Sequence, residues 1–184
     1  MPGPSRSRLL VLGLGNVLCG DDGLGIVAVH RLQRFYVEPA AALVLDGGTL
    51  GLSLLPYLED AEAAILIDAI QADGSPGSFV RLEGDEVAPA VAARLSCHQI
   101  GVSDLLEAAR WRGRSPRHLV LLGLVPETLA LGVALSPHVV AALPDLVERV
   151  VAEASRLGLA FSPRGDDEAA RRWSPSPLAR VCGL

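Results

Sequence analysis

Five aliphatic runs, at 9–14, 42–45, 63–67, 79–82 and 118–124, alternate for the most part with segments of helical spacing. This alternation leaves few architectures open. Strands that read as unbroken apolar runs are covered on both faces, and parallel strands need crossover helices to join them. After Asp22, apolar residues fall at Leu24, Val27, Ala28, Leu32 and Phe35, the i, i+3, i+4 spacing of one helical face. Further helices are expected over 50–58 and 102–110. Ser136-Pro137 reads as an N-cap followed by proline at the first helical position. Pro144 is expected to kink or restart that helix, which should run to Leu157 and stop at Gly158. The link over 68–78 contains Gly74-Ser75-Pro76-Gly77 and is too short for a crossover helix, so the strand at 79–82 is expected to be antiparallel to the one before it. The expected fold is α/β: an open, mostly parallel, twisted five-stranded sheet with helices on both faces. From Pro163 onward Pro, Ser, Arg and Asp dominate and periodicity vanishes. A single domain over 1–162 and a poorly ordered tail over 163–184 follow.

Composition narrows the function. Half of the 184 residues are hydrophobic and only 4% are aromatic, so the core is built from Leu, Val, Ile and Ala. The net charge of −5 argues against general nucleic-acid binding, which depends on neutralising phosphates. The stretch Arg110-Trp111-Arg112-Gly113-Arg114-Ser115-Pro116-Arg117 is a local exception. A solvated helix end is its simpler account, and a docking patch for an acidic partner the sharper one. All 16 Lys and Arg residues are arginine. The lack of lysine excludes a P-loop and a lysine Schiff base. Cys19, Cys97 and Cys182 are widely spaced and odd in number, which gives no disulfide framework or paired-cysteine metal site and points to a reducing cytoplasm. The apolar run after Arg6 and Arg8 is interrupted by Gly13, Gly15 and Asn16 and followed by Asp21 and Asp22. It is read as a first strand rather than a signal peptide. No stretch reaches the ~18 apolar residues that span a bilayer, so no membrane insertion is expected.

Ligands in open α/β sheets bind beyond the carboxyl ends of the strands, where strand order reverses. Here those ends carry Gly13-Leu14-Gly15-Asn16 with Asp21-Asp22-Gly23, then Asp46-Gly47-Gly48-Thr49, then Asp68, and Cys97-His98-Gln99 stands before the third helix. Gly13-Leu14-Gly15 begins a dinucleotide fingerprint, but its sixth position is Leu18. The segments at 51–55 and 101–105 each lack the last glycine of a nucleophile elbow. No His-Glu-x-x-His occurs. What remains is Asp22, Asp68 and His98. Singly, they read as a helix cap, a turn carboxylate and a surface histidine. Together on one rim they make a mixed oxygen and nitrogen site for a divalent transition metal.

At these residues the chain resembles the hydrogenase maturation endopeptidases, over residues 9–157. Gly13-Leu14-Gly15-Asn16 with Asp21-Asp22-Gly23-Leu24-Gly25, Asp46-Gly47-Gly48-Thr49, Ile67-Asp68-Ala69 and Ser96-Cys97-His98-Gln99 are similar, in order, to four of the family's motifs. Gly123-Leu124-Val125-Pro126-Glu127 with Leu135-Ser136-Pro137 is similar to a fifth. The resemblance implies metal ligands at Asp22, Asp68 and His98, with Asp22 where some members carry glutamate. It also implies a cleft shaped by Asp46, Gly47 and Gly48. The implied substrate is the precursor of a nickel-iron hydrogenase large subunit, cut near its C-terminus after nickel insertion. Nickel is expected to arrive on that precursor, with cadmium or zinc as surrogates, and the protein is expected to be a monomer. A Rossmann-like nucleotide-binding module and a non-catalytic chaperone of the metal-loaded precursor remain as alternatives. Mononucleotide titration tests the first, and the mass of the precursor after incubation tests the second.

Overall fold

The structure, a computed structural model, describes residues 9–92 and 100–165. Its strands are β1 (Leu9–Leu14), β2 (Tyr36–Val37), β3 (Ala42–Gly48), β4 (Ala63–Ala69), β5 (Phe79–Glu83), β6 (His118–Leu124) and β7 (Ser162–Pro163). Its helices are α1 (Leu24–Phe35), α2 (Leu55–Asp60), α3 (Val87–Ala92), α4 (Ile100–Trp111) and α5 (Pro137–Arg156). Five strands form one sheet in the order β3-β1-β4-β6-β5. All neighbours are parallel except β5, which runs antiparallel to β6 with Phe79 opposite Leu124 and Glu83 opposite Val120. This is the mixed, helix-covered sheet that the spacing of the apolar runs predicts.

Alternation along each strand divides the core in two. Leu9 and Val11 of β1, Ile65 and Ile67 of β4, and Val120 and Leu122 of β6 pack against α1 and α5. Leu10, Leu12, Leu14, Ala64, Leu66 and Leu121 face the other way, toward α2, α3 and α4. Every residue of β4 is buried, as expected of a central strand covered on both faces. No helix among the described residues is long and apolar enough to cross a membrane.

Local outcomes differ in places from the sequence expectation. The helix expected over 50–58 is a 3-10 turn, Gly51–Leu54, leading into α2. Helix α5 continues through Pro144 instead of restarting there. Pro144 and Val140 are both exposed, so the carbonyl deprived of its helical N–H partner faces water. The helix ends as expected: Gly158 takes a φ of 79° just beyond it and donates its N–H to Ser155 O. Short α3 and the β2–β7 ribbon do not follow from the sequence pattern, since elements of six and two residues carry no readable period. Pro163 pairs with Tyr36, and the Arg164 N–H reaches Phe35 O at 2.8 Å, so the chain stays attached to the domain through Arg164. Residues 166–184 of the expected tail lie outside the described residues.

Candidate functional site

From β1 the chain crosses to β3 on one side and then returns past β1 to β4 on the other, so strand order reverses between β1 and β4. At the carboxyl ends of those two strands α1 approaches the sheet very closely. A Cβ on Gly25 would lie 2.2 Å from Ile67 O, and one on Gly13 would lie 2.3 Å from Gly25 O. The opening glycines therefore serve helix-to-sheet packing. At Gly15, φ is +122° and a Cβ would fall 1.7 Å from Asp22 O and 3.6 Å from Asp68 Oδ1. Only glycine lets the loop after β1 pass between these two aspartates.

Asp22 is 3% exposed and Asp68 1%. The Asn16 N–H donates to Asp22 Oδ2 at 2.9 Å, and the Ala69 N–H donates to Asp68 Oδ1 at 2.9 Å. Two carboxylates buried this deeply at the switch point present hard oxygen donors that suit a divalent cation. The same charges disfavour a phosphate where a Rossmann-like module would bind one.

Asp21, next to Asp22, faces elsewhere. It is fully buried; its Oδ2 accepts the N–H groups of Glu127 (2.8 Å) and Thr128 (3.1 Å), and its Oδ1 accepts that of Ser136 (2.6 Å). The loop after β6 is thereby fastened to the loop after β1. The loop after β6 also carries Glu127, whose carboxylate meets His138 Nδ1 at 2.7 Å on an exposed surface.

At the end of β3 a register shift sets Asp46 opposite Gly13 and Gly48 opposite Leu14, leaving Gly47 as a bulge beside Leu12. The exposed Asp46 carboxylate meets His30 Nε2 at 3.0 Å rather than Asp22 or Asp68. Leu18 and Leu131 stand exposed on adjoining loops, joined by the Gly132 N–H to Leu18 O bond of 2.9 Å. A cleft of about 720 Å³ lined by Leu58, Ala88, Leu106, Arg110 and Arg117 includes neither Asp22 nor Asp68. Within the arginine-rich stretch, Arg112 and Arg114 pair with the buried Glu59, which accounts for part of that stretch as internal ion pairing.

Asp22 and Asp68 are thus brought to one place, on either side of Gly15. His98 and Cys97 lie outside the described residues, as does Cys182. Among the described residues no group of three or more His, Cys, Asp or Glu is placed to hold a metal ion. The two carboxylates present fit the oxygen part of such a donor set. Sequence reasoning missed Asp21, although its adjacency to Asp22 was a signal that one of the pair is committed to the backbone.

A family model described as hydrogenase maturation protease matches residues 26–153. The hydrogenase 2 maturation protease of Escherichia coli is 36% identical over 158 residues, spanning 85% of this chain and 96% of that protein. The hydrogenase expression/formation protein HupD of Bradyrhizobium diazoefficiens is 42% identical over 159 residues, spanning 83% of each. The solved structure of the hydrogenase maturating endopeptidase HybD from E. coli superposes with a TM-score of 0.82 at 36% identity, covering 86% of this chain and 99% of that one.

Proposed function

This chain belongs to the hydrogenase maturation protease family and is accordingly a hydrolase, and from that premise we propose that it removes the C-terminal extension of a nickel-iron hydrogenase large-subunit precursor after nickel insertion. The observation that carries the reading is the pair of buried carboxylates, Asp22 and Asp68, flanking Gly15 at the switch point of the sheet. With His98 they would supply two oxygen donors and one imidazole, an incomplete set that leaves coordination positions open. An open set suits a metal already held by thiolates of the substrate, so nickel would arrive with the precursor. There it would orient the scissile segment or polarise its carbonyl. Asp22 and Asp68 hold the incoming centre, and the loops that carry them fix where the extended segment lies. Affinity that depends on the loaded metal makes cleavage a checkpoint on assembly. The protein would act as a monomer in the cytoplasm, where its widely spaced cysteines stay reduced.

The test mixes metal-free protein with nickel-free and then nickel-loaded precursor, and follows the mass of the precursor's C-terminus. Cleavage of the loaded form alone is expected. Equal cleavage of both would remove the checkpoint, and cleavage of neither would favour a chaperone.

A further inference from the structure

Two neighbouring aspartates, Asp21 and Asp22, stand in the first helical turn after β1, Gly20–Gly23, and the geometry gives them different work. Asp22 lies against Gly15 and the end of β4. Asp21 is fully buried, and its two oxygens take three backbone N–H bonds from the loop over 125–136. Backbone bonds run beside these: the Asp21 N–H to Thr128 O at 3.0 Å, the Gly20 N–H to Gly132 O at 2.7 Å, and the Gly132 N–H to Leu18 O at 2.9 Å. A carboxylate so occupied is a poor metal donor, because coordination would strip backbone donors that have no other acceptor. What it does hold is a loop. The segment over 125–136 lies against Leu18, Gly20 and Asp21, exposes Glu127, and brings exposed Leu131 (90%) near exposed Leu18 (52%) through the Gly132 N–H to Leu18 O bond.

We propose that Asp21 is a positioning residue for precursor binding, holding the loop over 125–136 as the wall against which an extended, apolar segment of the substrate lies. This rests on the peptidase reading above. It differs from a general stabilising role in where the effect falls. Asp22 keeps its own fastening, from the Asn16 N–H to both Asp22 Oδ2 (2.9 Å) and Asp22 O (3.2 Å). Disturbing Asp21 should therefore move the wall more than the metal donors.

The experiment compares the parent protein with Asp21→Asn. An amide there keeps the shape but turns an N–H donor toward at least one backbone N–H. Three quantities are read well below the melting temperature: hydrogen exchange at Glu127, Thr128 and Ser136, cadmium affinity, and cleavage of nickel-loaded precursor with KM and kcat separated. Expected are faster exchange at those three amides, a KM raised about 10-fold or more, and kcat and cadmium affinity each within about 3-fold of the parent. If Asp21→Asn does not fold, Ser136→Pro replaces it. That change removes the 2.6 Å donor at a φ of −64° that proline accepts, and should raise KM in the same direction. Faster exchange with unchanged KM would overturn the proposal, as would unchanged exchange. A parent that binds precursor without cutting it would sink the peptidase reading instead, and the dissociation constants of parent and variant would then decide Asp21.

Discussion

The two ends of the sheet bury carboxylates in different ways. Toward the amino edge, Glu59 is met by Arg112 and Arg114, and Glu153 by Arg81 and Arg156, so each buried anion has guanidinium partners. At the carboxyl edge, Asp21, Asp22 and Asp68 take hydrogen bonds from backbone N–H groups. These bonds fasten the aspartates locally around one loop crossing, whereas the ion pairs of the amino edge tie separate elements to one another. The amino edge uses its buried anions to tie elements together, while at the carboxyl edge Asp21 ties down the loop after β6 and Asp22 and Asp68 sit on either side of Gly15, where the proposed metal would be held.

The largest effect that could break this contrast is at Asp68. Asp68→Asn retains an oxygen for the Ala69 N–H but loses the charge. Cleavage of loaded precursor should fall about 100-fold or more, and cadmium affinity should fall with it. The melting temperature should move only a few degrees, about what 1 kcal/mol does in a domain of this size. His98→Ala should give the same pair of losses. If both variants bind metal and cleave as the parent does, the donors lie elsewhere and the contrast fails.

Glu153 sharpens the other side. The hydrogen bond from Arg81 is the main cause that holds its pKa below the ordinary carboxylate value of 4.5, against the opposing effect of burial. A depressed folded-state pKa means stability that is fully present above the unfolded-state value and is lost as pH falls through the folded-state one. Glu153→Gln should therefore cost about 1–3 kcal/mol near neutral pH and flatten the acid limb of the unfolding curve below about pH 4.5. Cleavage at low temperature should persist. A Glu153→Gln protein that loses cleavage while staying folded would tie the two edges together.

The fold was legible because the apolar runs are long and unbroken and alternate with segments of helical spacing. That Leu10, Leu12 and Leu14 point one way and Leu9 and Val11 the other is not written in such a run, since either face would accept its residues. The antiparallel edge strand followed from the length of one link. The site was legible only in part. Asp22 and Asp68 stand at strand ends, where topology alone puts binding groups. Nothing in the string Asp21-Asp22 says which residue lies with Asp68 about Gly15, since Asp21 is drawn away by N–H groups more than 100 residues along the chain. Asp46 ends a strand equally well, yet its partner is His30, which stands half-exposed beside the buried stripe of α1.

A smaller effect is expected at Ser136. Replacing an N-cap serine usually costs about 1 kcal/mol. Here the hydroxyl makes no cap hydrogen bond and its oxygen is buried without a hydrogen-bond partner, while the contact to Asp21 uses the backbone N–H. Ser136→Ala should change stability by less than about 0.5 kcal/mol and leave KM alone, because the N–H remains. A loss above about 1 kcal/mol would show that the hydroxyl does have work at this edge.

The smallest effect is expected at Cys19, and it bears most directly on what the carboxyl edge does. Cys19 is half-buried in the loop between Gly15 and Asp22 and bridges to Gly132 through its backbone. Of the three cysteines it is the one that lies among the described residues, in the loop that leads to Asp22. A reactive thiol needs a depressed pKa, from a nearby imidazole, a basic side chain or the N-terminus of a full helix. The turn that follows Cys19, Gly20–Gly23, has only four residues, and the sequence defines no base that would make a thiolate there. Cleavage by Cys19→Ser, and by a protein with Cys19, Cys97 and Cys182 all changed to serine, should therefore stay within about twofold of the parent and resist alkylation. Loss of cleavage in a folded Cys19→Ser or Cys97→Ser protein would move the chemistry from the carboxylates to sulfur. The contrast between the two edges would then describe only how the protein binds, and not how it cuts.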